Sequence, residues 1–163
     1  MKLTRFTSYA VTGFAIALFG MAGAAIAQSR NLIVPPDKVQ WGPAPPVLPA
    51  GAELSVLEGN PAAKGPVVMR LKMPADYAIP AHWHTNDERI TVLSGSFRVG
   101  MGDKLDRKRS DTLGPGGFLS LPAKMHHYAW TSAPTIVQIN LEGPFDIHYI
   151  NPSDDPQNTQ TKR

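Results

Sequence analysis

His82-Trp83-His84-Thr85-Asn86-Asp87-Glu88, followed seven residues later by Gly95, is the stretch whose reading decides the fold. In a β-strand, residues two apart project from one face, so His82 and His84 offer two imidazoles to one point while Ala81 and Trp83 face away. Glu88 opens a second run, Glu88-Arg89-Ile90-Thr91-Val92-Leu93, whose β-branched members suit a strand, and Ser94-Gly95-Ser96 suits a hairpin turn. A short turn between antiparallel strands folds the carboxylate back toward the two imidazoles.

Gly116-Gly117-Phe118-Leu119-Ser120-Leu121-Pro122-Ala123-Lys124-Met125-His126-His127 reads as a turn, a short apolar strand, a proline break and a histidine at the start of another strand. With this second cluster the sequence resembles the cupin superfamily, whose motifs are Gly-x5-His-x-His-x3-4-Glu-x6-Gly and Gly-x5-Pro-x-Gly-x2-His-x3-Asn. Against the first motif, His82, His84, Glu88 and Gly95 match, and Asp76 stands at the leading glycine position. Against the second, Gly116, Pro122 and His127 match, while Lys124 replaces a glycine and Thr131 the asparagine. The resemblance spans roughly residues 50–150. It implies an all-β, single cupin jelly-roll barrel in which His82, His84, Glu88 and His127 hold one divalent transition metal.

Three imidazoles and a carboxylate form a nitrogen/oxygen set suited to Fe, Mn, Ni, Cu or Zn, and poorly suited to calcium or magnesium, which prefer oxygen shells. His126 and His127 are adjacent, so in a strand only one enters the barrel. Motif spacing selects His127, which leaves His126 on the face of Tyr128 and Trp130; a bulge would exchange the two roles. His148 alternates with Phe145, Ile147 and Tyr149, which fits an exposed polar face of the last strand. Gln138 and Asn140 alternate with Val137, Ile139 and Leu141, and either set can be the interior one.

Residues 1–27 read as a targeting segment rather than fold. Lys2 and Arg5 form a short basic region, the stretch from Tyr9 to Ile26 is apolar, and Ala25-Ile26-Ala27 before Gln28 fits a small-residue cleavage site. Its glycines and alanines make it weak as a permanent membrane span, and no other apolar stretch approaches the ~20 residues such a span needs. The expectation is an exported chain, periplasmic or secreted. The net charge of +3 includes Lys2 and Arg5. Cleavage therefore leaves a nearly neutral chain with no nucleic-acid footprint. Cysteine is absent, so neither disulfides nor thiolate ligands are available, and stability must come from a hydrophobic core or a metal.

Residues 28–50 carry Pro35, Pro36, Pro43, Pro45, Pro46 and Pro49 with Trp41 among them, a composition that excludes a helix or a central strand. This is an extended arm: either a linker, or a segment whose Leu32, Ile33, Val34, Val39 and Trp41 pack on its own barrel or on the second subunit of a homodimer. Residues 51–151 form the cupin domain, and residues 152–163 a polar tail without apolar periodicity, expected to be mobile. In the domain, Val67, Met69, Leu71 and Met73 alternate with Val68, Arg70 and Lys72. Short strands punctuated by Gly and Pro follow one another, and no helix is expected after residue 27. The run Arg107-Lys108-Arg109, flanked by Asp103, Asp106 and Asp111, reads as a solvated hairpin tip.

Two function classes fit this pattern. One is a metal-dependent enzyme acting on a small organic molecule that chelates the metal, for which the cupin resemblance implies a dioxygenase ahead of a decarboxylase, lyase or isomerase. The other is a non-catalytic metal- or ligand-binding module. Neither Tyr128 nor Tyr149 stands out as an acid or base, and no catalytic residue beyond the metal ligands is expected.

Overall fold

The computed structural model describes residues 31–160; the targeting segment, residues 1–27, lies outside them. Strands β1 Gly42–Pro43, β2 Glu53–Glu58, β3 Gly65–Met73, β4 Ala78–Trp83, β5 Glu88–Ser94 and β6 Phe97–Met101 come first. They are followed by β7 Asp111–Leu113, β8 Phe118–Leu121, β9 His127–Thr131, β10 Thr135–Gly143 and β11 His148–Tyr149. Two antiparallel sheets result, in the orders β1-β2-β3-β10-β5-β8 and β11-β4-β9-β6-β7.

Period-two alternation sets the long strands. Val67, Met69, Leu71 and Met73 of β3 are buried, and β10 pairs with β3 over nine residues, from Thr135 opposite Met73 to Gly143 opposite Gly65. Val137 and Ile139 therefore face inward beside them. Gln138 and Asn140 lie on the outer face, where Arg70 Nε donates to Gln138 Oε1 at 3.2 Å, so the interior reading of these two residues is corrected. From the smaller sheet, Ile79, Phe97, Val99 and Ala129 complete the same hydrophobic cluster. The molecule is a jelly-roll barrel whose core is the shared interior of its two sheets.

The motif turn behaves as its glycine requires. Gly95 has φ +84°, and a Cβ there would lie 2.3 Å from Pro134 O. No other residue type fits both conditions.

Residues ahead of the barrel are tied to it at several points. Val39 and Leu48 are buried, β1 pairs with β2, and Tyr77 Oη and Tyr149 Oη donate to Pro49 O at 2.6 Å and Val47 O at 2.8 Å. Ile33, by contrast, is 82 % exposed. The expectation of no helix is overturned at both ends: a 3-10 turn, Pro36–Lys38, lies within the proline-rich segment, and a second, Pro152–Asp154, leads into one short helix among the described residues, Pro156–Gln160. Asn151 and Asp155 side chains accept from Ser153 N and Gln157 N, local bonds that stabilise such turns without apolar periodicity. Among the described residues, no helix is long and apolar enough to cross a membrane.

Candidate metal centre

Proline places the first two imidazoles. Strand β4 begins at Ala78 and carries Pro80 within it. Its pairing with β9 shifts between Ile79 and His82: Ile79 lies opposite Ala129, and His82 opposite His127. Three steps along β4 match two along β9, which is a bulge, and it contains Pro80, which has no N–H to give the ladder. The bulge changes the phase of the strand, so Ile79 and His82 both face the barrel interior. Without it, Ala81 would take the place of His82.

His82, His84 and His127 are buried, and one ring nitrogen of each lies within 4.8 Å of the other two. Each Nδ1 faces a backbone carbonyl: His82 that of Pro80 at 2.7 Å, His84 that of Asp146 at 2.5 Å, and His127 that of Met125 at 2.9 Å. A carbonyl only accepts, so Nδ1 carries the proton and Nε2 keeps its lone pair in the neutral rings. This is the tautomer that a metal ligand needs. Glu88 starts β5 on the opposite sheet, and its Oε2 lies 3.5 Å from His84 Nε2 and 3.8 Å from His127 Nε2.

The electrostatics follow from four polar groups in an apolar lumen. Burial, helped by repulsion from His127 and His84, pushes the His82 pKa down to about 3. Burial also lowers His127, and Glu88 only partly offsets it. For His84 burial acts downward too, but the neighbouring Glu88 outweighs it and the net shift is upward. Burial would raise the Glu88 carboxyl, yet the three imidazoles, His84 foremost, hold it below its usual range. His84 Nε2 is buried without a hydrogen-bond partner, an arrangement that costs free energy unless something binds there. A divalent transition metal fits this donor set: borderline nitrogen donors, one carboxylate and oriented Nε2 lone pairs are what such ions favour.

Around these groups lie supports not expected from the sequence. Asp146 O orients His84, Asp146 Oδ1 accepts from Thr85 N at 2.9 Å, and Lys124 N donates to His84 O at 2.8 Å. Phe145 stacks on His84 with ring centroids 5.8 Å apart. Backbone carbonyls leave no signature in residue identity, although for His82 and His127 the partner is two residues earlier in the chain. His126 lies outside the cluster, 43 % exposed, with Nδ1 2.7 Å from Asp103 Oδ1. His148 also lies outside, stacked on Trp83 at 4.0 Å and 3.1 Å from Asp146 Oδ2.

The sequence model of the ChrR cupin-like domain matches residues 29–144, and the chain belongs to that family. A search of curated proteins gave no significant match. Among solved structures, a candidate acetylacetone dioxygenase from Methylibium petroleiphilum is similar with TM-score 0.60 and 18 % identity, over 80 % of this chain and 88 % of that one. The polyketide cyclase RemF from Streptomyces resistomycificus gives 0.58 and 18 %, over 79 % and 92 %. The DMSP lyase DddQ from Ruegeria pomeroyi gives 0.51 and 22 %, over 64 % and 56 %. At these identities the likeness establishes the shared fold.

Proposed function

We propose that the protein is an exported, metal-dependent cupin enzyme that acts on a small, metal-chelating organic molecule as a dioxygenase. The observation that carries the reading is the set of three buried imidazoles whose Nδ1–H groups are fixed on carbonyls and whose Nε2 atoms converge beside Glu88. These four side chains would hold one iron, manganese, nickel or copper ion. Bound there, the metal would supply Lewis-acid polarisation and, if redox-active, electron transfer with dioxygen.

The chain's own residues favour oxygenation over elimination or isomerisation, which need a separate base within reach of the substrate. Among the described residues, no proton-transfer group besides the four lines the lumen. Tyr77 and Tyr149 donate their hydroxyl protons to Pro49 O and Val47 O, and burial raises both pKa values well above ordinary tyrosine. Ile79, Ile90, Phe97 and Val137 keep bulk water away and leave the ligand set as the polar end of the cavity. Export rests on the segment ending Ala25-Ile26-Ala27.

The test is elemental analysis of the chain from residue 28, purified without chelators or a histidine tag, with His127→Ala beside it. One equivalent of iron, manganese, nickel or copper, lost in the variant, together with oxygen uptake on a chelating substrate, is the expected result. Zinc alone, or no metal, would transfer the reading to a non-catalytic binding module.

A further inference from the structure

His84 is held differently from the other two imidazoles of the centre. His82 and His127 each set Nδ1 on a carbonyl two residues back in their own chain, those of Pro80 and Met125, so the segment that carries the ring also carries its support. His84 lies just past β4, and its Nδ1 faces the carbonyl of Asp146, 62 residues further on. The direction of its Nε2 lone pair is therefore only as well defined as the join between two separate segments of chain.

The Asp146 carboxylate makes that join. Oδ1 accepts from Thr85 N at 2.9 Å, and Oδ2 accepts from His148 Nε2 at 3.1 Å. A carboxylate only accepts, so His148 carries a proton on Nε2. The His148 ring is fixed in turn: it stacks on Trp83 at 4.0 Å with the planes 16° apart, and the two residues lie opposite each other where β11 pairs with β4. Trp83 and Thr85 flank His84 in the sequence, so both neighbours of this ligand are tied to the segment that supplies its carbonyl. Thr85, Asp146 and His148 do not line the lumen, and so act on its contents through His84.

Resting on the metal reading above, we propose that Asp146 is a positioning residue for the centre: its carboxylate, braced by His148 on Trp83, holds the carbonyl that aims His84 at the ion. An imidazole lone pair is directional, so a ring free to turn binds more weakly although no ligand has been lost. The exposed His148 thereby serves the centre without being a ligand.

The test compares the chain from residue 28 with its Asp146→Ala, Asp146→Asn and His148→Phe variants. One readout is cobalt(II) affinity, measured by competition with a chelator. The other, taken on the metal-free protein by NMR, is exchange of each imidazole Nδ1 proton with solvent. Asp146→Ala is expected to weaken cobalt binding by about ten- to a hundredfold, the usual effect of losing the outer partner of a ligand, and to speed exchange at His84 but not at His82 or His127. Asp146→Asn is expected to restore most of the lost affinity, because its amide oxygen still accepts from Thr85 N and its amide nitrogen donates to His148 in the other tautomer. His148→Phe keeps the stack on Trp83 but leaves Oδ2 without its donor; a smaller loss is expected, and this variant is judged in the same way if the alanine variant fails to fold. Wild-type affinity or wild-type exchange at His84 in Asp146→Ala overturns the proposal, as does faster exchange at all three imidazoles, which would mean general loosening. An equal loss in the asparagine variant also overturns it, since charge rather than position would then be what Asp146 supplies. Failure of the wild type to bind cobalt removes the metal reading, and exchange at His84 then decides alone whether Asp146 aims the ring.

Discussion

Lys124 holds a left-handed backbone conformation, φ 63°, at a position where the cupin motif has glycine, and Asp76, φ 60°, does the same at the other substituted glycine. The turns are kept and the side chains are tolerated at a cost. Lys124 matters to the site because its N–H donates to His84 O. A left-handed residue with a Cβ costs about 1–2 kcal/mol, against roughly 0.5–1 kcal/mol for the extra freedom of an unfolded glycine. Lys124→Gly should therefore stabilise the protein by about 0.5–1 kcal/mol, seen as a rise in Tm with metal content unchanged. Asp76→Gly should gain less, because Asp tolerates this region better and the 3.7 Å pair with Arg107 is lost. The imidazoles give a second prediction at this scale. His82 titrates near 6.5 when unfolded and near 3 when folded, and His127 is shifted the same way. Below pH 6.5 the unfolded state takes up protons that the folded state refuses, so their contribution is present above 6.5 and lost as pH falls. The raised His84 acts above 6.5, and the lowered Glu88 acts below its ordinary 4.5, so neither opposes this between the two values. The metal-free protein should lose stability on acidification from pH 6.5 to 4.5 by up to about 1.4 kcal/mol per pH unit for each histidine, and His82→Gln should flatten the slope in urea titrations. An unchanged slope would place the responsible groups elsewhere.

At the scale of elements, the segment of residues 102–110 between β6 and β7 is more than a solvated tip. Its side chains are largely exposed, but Tyr128 Oη reaches both Asp106 O at 3.0 Å and Arg109 O at 2.7 Å, and Arg107 lies over the Trp130 ring. The strap covers the outer face of β9, and that is why all five β9 residues are buried. Gly100 makes this possible, since a Cβ there would lie 2.3 Å from the Tyr128 ring and 2.5 Å from Arg109 O. Gly100→Ala should cost about 1–3 kcal/mol by overpacking, and Tyr128→Phe about 1 kcal/mol for the hydrogen bond. Both should speed proteolysis within residues 102–110 while leaving metal content intact. Equal cleavage rates in wild type and variants would mean that the strap is not held by Tyr128. The same elements show what the sequence made legible. Strand β3 was plain because one face is wholly apolar, and the His-x-His spacing with the Glu88 strand located the site. The bulge in β4 is not legible, because residue alternation alone gives no sign that the pairing with β9 shifts between Ile79 and His82. The facing of β10 was left open by simple alternation; burial of Val137 and Ile139 decides it. Phe145 and Asp146 reach the site from 61 and 62 residues beyond His84 by fold alone, a proximity no local pattern encodes.

For the whole molecule, the sources of the four candidate ligands are the consequential fact. His82 and His127 belong to β4 and β9 of the five-stranded sheet, His84 follows β4 directly, and Glu88 begins β5 of the six-stranded sheet. An ion bound by all four would join the two sheets across the lumen, in a chain that has no disulfide to do so. Because it would bind only the folded arrangement, its binding energy adds to folding stability: about 2.7 kcal/mol at a free concentration one hundred times Kd, a Tm rise on the order of 10 °C. Wild type should show this rise on metal addition, and His127→Ala should not. Glu88→Gln should show a reduced one, since three imidazoles remain but the bond to the second sheet is weakened. His126→Ala is the decisive control. His126 and Asp103 form the more exposed of two His–carboxylate pairs outside the cluster, the other being His148 and Asp146. If the rise persists in His127→Ala and disappears in His126→Ala, the ion binds outside the barrel and the sheets are held by their hydrophobic core alone.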